Sequence, residues 1–350
     1  MLRCWMRSGP AHWSSKVAAT IYTPCWFVRT KGITRMKQVI YLGATEGYEA
    51  TKAALEGVAK VQHVAAEQPD VAAALRTADG LLDASMKTRI TDDMVSAAPN
   101  LKIISCATTG SDHIARAALD ARGIPVRTLK EDPNVLRNIT PAAEHSWALL
   151  MACARKLPAA VSHVTGGGWT REDFPGVMLK GKRLGLVGCG RIGGWMSRYA
   201  NAFGMEVIGF DPHLANFPDT ISPRSLEEVV TTSDFVSIHV HLSPETEGLV
   251  SRELVEKMKP SAILINTSRG GIVDEAALYD AIESGHLGGA GLDVLKGEPD
   301  TTDHPLVILS RTHPNLLITP HCGGFSPDAV RLVCTHAAGK IRKTLQGAEP

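Results

Sequence analysis

Arg269, Glu298 and His321 are the side chains of this 350-residue sequence best suited to chemistry. Each follows a short apolar run. The three stretches are Ile265-Asn266-Thr267-Ser268-Arg269-Gly270-Gly271, Gly291-Leu292-Asp293-Val294-Leu295-Lys296-Gly297-Glu298-Pro299 and Ile318-Thr319-Pro320-His321. A guanidinium holds a carboxylate through paired hydrogen bonds and polarises the carbonyl beside it. An imidazole gives the carbonyl oxygen its proton while hydride reaches the carbon. A neighbouring carboxylate orients the ring and stabilises its charged form. Together these groups form the set needed to reduce a 2-oxo acid. Taken singly, each has a plainer reading as a surface ion pair, a loop acid or a strand-end histidine. Their order and spacing favour the set.

Such groups converge only if their strands end on one edge of an open parallel sheet. The stretch 181–211 supplies the start of that sheet. Leu184-Gly185-Leu186-Val187 leads into Gly188-Cys189-Gly190-Arg191-Ile192-Gly193, and Trp195, Met196, Tyr199, Ala200 and Phe203 follow at helical spacing. A second apolar run, Val207-Ile208-Gly209-Phe210, ends on Asp211. Strand, glycine turn, helix, strand and terminal acid within about 30 residues is the pattern of a dinucleotide-binding βαβ unit. Gly188 permits the turn, Gly190 lets a pyrophosphate approach the backbone, and Gly193 lets the helix pack on the strand. Arg191 and Ile192 open the helix whose N-terminal N–H groups face the phosphates. Asp211 accepts hydrogen bonds from the adenosine ribose. With Pro212-His213-Leu214-Ala215 after it and no Arg, NAD is expected over NADP.

The pattern then continues with strands expected at 234–239, 262–266, 289–294 and 316–318, and helices at 225–231, 252–258 and 274–284. The first third alternates in the same way. Strands are expected at 38–42, 80–84, 101–106 and 124–126, and helices at 51–60, 91–98 and 113–122. Residues 108–112, Thr-Thr-Gly-Ser-Asp, follow a strand at the end where open sheets place ligands. A long apolar helix at 142–157 follows a hinge near Thr140-Pro141, residues 158–180 read as a connection, and a final helix runs from Asp328. His239 and His241 alternate on one strand. With no third ligand at metal spacing, a structural or cofactor-side role for His239 is favoured and no metal is expected.

Composition agrees with two soluble α/β domains: 44% hydrophobic and 21% charged residues. The formal charge of +1 hides an asymmetry, because residues 1–45 hold seven Lys or Arg and no acid. The remainder holds 30 basic against 36 acidic side chains, which argues against nucleic-acid binding. Seven cysteines without a CxxC pair read as reduced thiols in a cytosolic-type compartment. No run reaches the length of a membrane span. Residues 1–35 read as an extension outside the folded core, with Met36 opening the domain. A mitochondrial transit segment, hence a matrix location, is the alternative.

From Met36 onward the chain resembles the D-isomer-specific 2-hydroxyacid dehydrogenase family. The glycine turn with its acid, INTSRGG followed by VDEAAL, and GLDV-x3-EP followed by TPH match in order. The resemblance implies a central Rossmann NAD-binding domain, 139–319, inserted in a flavodoxin-like substrate domain, 36–138 plus 320–350. It implies Arg269 as the substrate-carboxylate binder, His321 as acid/base and Glu298 as its partner, with backbone N–H groups of Thr109 and Gly110 on the substrate. Thr267, His239 and Asp293 fall on the cofactor side, Asp293 near the nicotinamide amide. The substrate is a small 2-oxo or 2-hydroxy acid, and the partner a second copy of the chain joined through residues 142–173. His241 stands where the family usually has Pro. Phosphoglycerate dehydrogenases often carry an Arg near Ser85, which is absent here, so glyoxylate or hydroxypyruvate is expected ahead of a phosphorylated acid. Formate dehydrogenases share the fold but carry Gln in place of Glu298. NAD(H)-sensing corepressors keep the same triad, and a binding role is the alternative from another class.

Overall fold

Among the described residues twelve short strands, most of them apolar runs of four to six residues, build two sheets in which every pairing is parallel. A computed structural model describes residues 35–347, so the reading of residues 1–35 falls, Arg35 apart, outside the described residues. The first sheet contains β1 (Lys37–Leu42), β2 (Ala59–His63), β3 (Gly80–Asp83), β4 (Ile103–Cys106) and β5 (Val126–Arg127). Their order is β2-β1-β3-β4-β5, the flavodoxin-like arrangement. The second sheet contains β6 (Arg183–Val187), β7 (Glu206–Phe210), β8 (Ser222–Pro223), β9 (Phe235–Ile238), β10 (Ile263–Asn266), β11 (Gly289–Leu292) and β12 (Leu316–Ile318). Its order, β12-β11-β10-β9-β6-β7-β8, is the doubly wound Rossmann order with a seventh strand.

Central strands are buried along their whole length: Gly80–Asp83, Ile103–Cys106, Phe235–Ile238 and Ile263–Asn266 expose almost nothing. Helices on both faces cause this, and it explains why these strands read as continuous rather than alternating apolar runs. The helix Pro141–Ala154 packs beneath β10 and β11, burying Leu149, Leu150 and Cys153. The chain returns to the first sheet at its end. There the helix Pro327–Gln346 buries Val333, Cys334, Ala337 and Ile341 against Val39, Tyr41, Leu82 and Ile103. Ser105 Oγ donates to the Ala337 carbonyl at 3.1 Å and locks that contact.

Two expectations need correction. The helix expected at 51–60 is Thr45–Ala54, and Ala59–His63 forms β2. Only Val61 is buried in that edge strand, and Val58, Val61 and Val64 mimic helical spacing. Gly57, at φ 74°, supplies the left-handed turn that follows the helix. The connection at 158–180 begins with a further helix, Leu157–Thr165. Lys156, at φ 48°, breaks it from the helix Pro141–Ala154, and Pro158 sits in its first turn.

Candidate active site

The glycine turn joins β6 to the helix Arg191–Ala202. Gly188 adopts φ 93°, and a Cβ there would stand 2.5 Å from the His239 carbonyl oxygen, so only glycine fits. A Cβ on Gly193 would meet the Gly188 carbonyl oxygen at 2.2 Å, which fixes how closely helix and turn approach. Among the described residues nothing lies within 4 Å of the Cβ position of Gly190. The turn therefore offers an open backbone face at a helix N-terminus, a cradle that suits a pyrophosphate. Asp211, just past β7, turns toward this cradle: Oδ2 accepts from Cys189 N at 3.0 Å and Oδ1 from His213 N at 3.0 Å. Burial, with Asp211 nearby, pushes the Cys189 thiol up to about 12, so it is a packed spacer. Arg191 donates to the Ile139 carbonyl and ties the cradle to the chain entering helix Pro141–Ala154.

Arg269, Glu298 and His321 follow β10, β11 and β12, three neighbouring parallel strands that end on the same edge. Asn266, buried at the end of β10, shapes the first loop by accepting from Ser268 N at 3.0 Å and donating to the Arg269 carbonyl at 3.0 Å. Thr267 is held by Ser146 of the underlying helix, hydroxyl to hydroxyl at 2.7 Å. Arg269 is thereby aimed at the other sheet. Its Nε lies 3.6 Å from Asp112 Oδ2, and a Cβ on Gly110 would stand 2.7 Å from its Nη2. The Met86 methyl, from the loop after β3, closes on the same point at 3.1 Å. Burial raises the Asp112 pKa, but the Arg269 charge and hydrogen bonds outweigh it and hold the carboxyl below its usual range. Thr109 lies in this same loop after β4, braced by Thr108 Oγ1 donating to the Gly110 carbonyl at 2.8 Å.

His321 Nδ1 lies 2.7 Å from Glu298 Oε1. The other ring nitrogen, Nε2, has no protein partner among the described residues, and the ring is partly exposed. His321 adopts φ 53°, a conformation that costs a non-glycine residue free energy. The buried carboxylate of Asp293 holds it there. Oδ1 accepts from Cys322 N at 2.9 Å and from the Thr319 hydroxyl at 2.6 Å, and Oδ2 accepts from Gly323 N at 2.7 Å. Asp293, expected on the cofactor side, thus anchors the loop that carries His321. Glu298 is placed by contact between loops: a Cβ on Gly270 would come within 2.2 Å of Lys296 N. Glu275 Oε1 accepts from that same N–H at 2.9 Å.

His239 Nε2 bonds the Ser237 hydroxyl at 2.8 Å, and burial lowers its pKa to about 3, so it is a neutral ring beneath the glycine turn. His241 lies beyond the strand, where desolvation together with the charges of Lys130 and Arg269 lowers its pKa. Asp83, its partner His113, and His145 lie near the site and escaped sequence reasoning. Asp83, fully buried at the end of β3, accepts from Ser85 N and Met86 N and lies 2.7 Å from His113 Nε2. It joins the two first-sheet loops that face Arg269. His145, on helix Pro141–Ala154, bonds Thr319 Oγ1 at 2.9 Å. A strand-end position was the available signal for Asp83; His145 sits inside a helix and gave none.

A glycine cradle, an acid beside it, and Arg, Glu and His at successive strand ends define a dinucleotide-binding α/β protein of the dehydrogenase architecture. The chain belongs to the D-isomer specific 2-hydroxyacid dehydrogenase family, whose NAD binding domain matches residues 147–323. It is 38% identical over 302 residues to D-3-phosphoglycerate dehydrogenase of Mycobacterium tuberculosis, covering 85% of this chain and 55% of that protein. The chain thus spans about half the length of the curated relatives it matches. Among solved structures, the TT0316 protein from Thermus thermophilus superposes with a TM-score of 0.80 at 34% identity, covering 89% of this chain and 98% of that one. An NAD-dependent formate dehydrogenase from Staphylococcus aureus, in complex with NAD, gives 0.77 at 26% identity over 89% and 97% of the two chains. Among the described residues no helix is long and apolar enough to cross a membrane.

Proposed function

We propose that this chain is an NAD-dependent dehydrogenase interconverting a small 2-oxo acid and its D-2-hydroxy acid. The observation that carries the reading is the pairing of two features at neighbouring strand ends. Arg269 is aimed at the Gly110 loop, and the His321–Glu298 pair leaves Nε2 free. Arg269 binds the substrate carboxylate and polarises the adjacent carbonyl, with N–H groups of Thr109 and Gly110 on the same carboxylate. His321 Nε2 gives the carbonyl oxygen its proton, while Glu298 orients the ring from the other side. Gly188, Gly190, Arg191, Ile192, Gly193 and Asp211 would hold NADH, with Thr267, His239 and Asp293 on the nicotinamide side, and the cofactor would supply the hydride when bound. Residues 36–138 with 320–350 serve as the substrate domain and 139–319 as the cofactor domain. Closure between them excludes water.

A small unphosphorylated acid, glyoxylate or hydroxypyruvate first, is favoured by the loop after β3. Ser85 is engaged with Asp83, and the side chain that this loop brings up to Gly110 is the apolar Met86. The relatives named D-3-phosphoglycerate dehydrogenase support a second reading, in which exposed Lys87 meets a phosphate. Pairing of two copies through 142–173 is supported by exposed Leu157, Val161, Val164 and Trp169. Buried free thiols fit a reducing, cytosolic-type compartment. The test is NADH oxidation against glyoxylate, hydroxypyruvate, pyruvate, phenylpyruvate and 3-phosphohydroxypyruvate. Highest kcat/KM for an unphosphorylated acid is expected, and a preference for the phosphorylated one selects the second reading. Tight NADH binding with no turnover of any acid indicates a sensor instead.

A further inference from the structure

Three metal-ligating side chains converge one residue away from His321, and of these the reaction proposed above uses Asp293 alone. His145 Nε2 lies 3.4 Å from Asp293 Oδ1 and 4.0 Å from Cys322 Sγ, and the three donor atoms all lie within 4.8 Å of one another. They come from three separate elements: helix Pro141–Ala154, the end of β11 and the loop after β12. We propose that His145, Asp293 and Cys322 form a binding site for a zinc-class divalent cation.

The geometry, donor chemistry and access all fit that ion. Zinc bond lengths of about 2.0–2.3 Å set donor–donor edges of roughly 3.3–3.7 Å in a tetrahedron. The His–Asp separation already matches, and the Cys322 sulfur has to close by about 0.5 Å on His145 and by at most about 1.3 Å on Asp293. Imidazole, carboxylate and thiolate together select zinc or cobalt over magnesium and calcium, which take oxygen ligands. Three protein donors leave the fourth position for water. The Thr319 hydroxyl, now bonded to both His145 and Asp293, is the group the ion displaces. The second shell is in place, because Asp293 Oδ2 is held by Gly323 N at 2.7 Å. An open groove of about 450 Å³ beside Leu149, Leu317 and Ile318 reaches His145 and Thr319 and gives the ion a path from solvent. On binding, metal bonds form to sulfur, to a carboxylate oxygen and to Nε2; the thiol proton passes to solvent, and the imidazole proton that Nε2 shares with Thr319 moves to Nδ1. Because Asp293 also accepts from Cys322 N, the ion would grip the segment that carries His321.

The test uses the full chain, purified metal-free with a non-chelating phosphine reductant and titrated with Co²⁺ alone. About one equivalent is expected to bind, with a thiolate-to-cobalt absorption band in the near ultraviolet that Zn²⁺ abolishes. Cys322→Ser and Cys322→Ala should each lose the band, and His145→Gln should weaken Co²⁺ binding at least roughly 10-fold. Circular dichroism identifies any variant that fails to fold, and the two Cys322 variants give independent readings. A wild-type protein without the band overturns the proposal. So does a band that persists in the Cys322 variants, or an affinity unchanged in folded His145→Gln.

Discussion

Arg269 reaches from the second sheet to Asp112 of the first, Nε to Oδ2 at 3.6 Å, with Gly110 between them too tightly placed for a side chain. The residue proposed to bind substrate is therefore already oriented by a carboxylate. On the proposed reading an incoming carboxylate would share the guanidinium with Asp112 rather than find it loose in solvent.

Replacing Arg269 by Ala should lower kcat/KM for the preferred 2-oxo acid roughly 10²-fold or more, with KM and kcat both affected. Arg269→Lys should recover little, because a point charge cannot form the planar paired contact. NADH affinity, followed by fluorescence titration, should survive both changes. Wild-type kcat/KM in Arg269→Ala removes the residue from the site.

His321→Ala should lower kcat roughly 10²-fold or more, since the carbonyl oxygen loses its proton donor. Asp293→Ala should also slow turnover, by releasing the N–H groups of Cys322 and Gly323 that hold His321 at φ 53°. Steady-state kinetics in both variants check this. Unchanged kcat in a folded Asp293→Ala protein would show that the loop keeps its shape without the anchor.

Cofactor choice should depend on Asp211. A 2′-phosphate would bring negative charge against this carboxylate, so NADH is expected over NADPH by roughly 10²-fold or more in kcat/KM. Asp211→Ala also releases Cys189 N and loosens the turn, so the ratio of the two cofactors is the informative readout. A ratio equal in wild type and variant takes Asp211 out of cofactor recognition.

Gly193→Ala places a Cβ 2.2 Å from the Gly188 carbonyl oxygen, a backbone atom with no rotamer to change. The helix must move off the turn, and NADH binding should weaken by roughly 10-fold or more, with a lower melting temperature. Isothermal titration with NADH decides it, and undiminished affinity contradicts the packing role assigned to Gly193.

Where two-sided burial made strands into short apolar runs, the sequence was readable. The stretch 316–318 coincides with β12, and the runs around β6, β7, β9 and β10 are offset by a residue or so. Arg269, Glu298 and His321 were legible because each follows such a run. Where a strand lies at an edge, as β2 does, polar faces removed the signal and valine spacing imitated a helix. The arrangement of Asp293, Thr319 and His145 was not legible either. It depends on a helix passing beneath a loop about 170 residues later, and no local pattern encodes that contact. Asp293 was marked by the family resemblance alone, inside the strand expected at 289–294; β11 ends at Leu292, and the hydrogen bonds of Asp293 to the loop after β12 appear only once the strands are assembled.

Hydride transfer to C2 of a 2-oxo acid is the central claim, and isotope labelling tests it most directly. The wild-type chain is incubated with glyoxylate or hydroxypyruvate and NADH deuterated at C4 on the transferred face, and the product is analysed by mass spectrometry and chiral chromatography. One deuterium at C2 is expected in the hydroxy acid, with the D configuration where C2 is a stereocentre, as in glycerate. NADH that binds without being consumed, or a product carrying no deuterium from either face, contradicts the account.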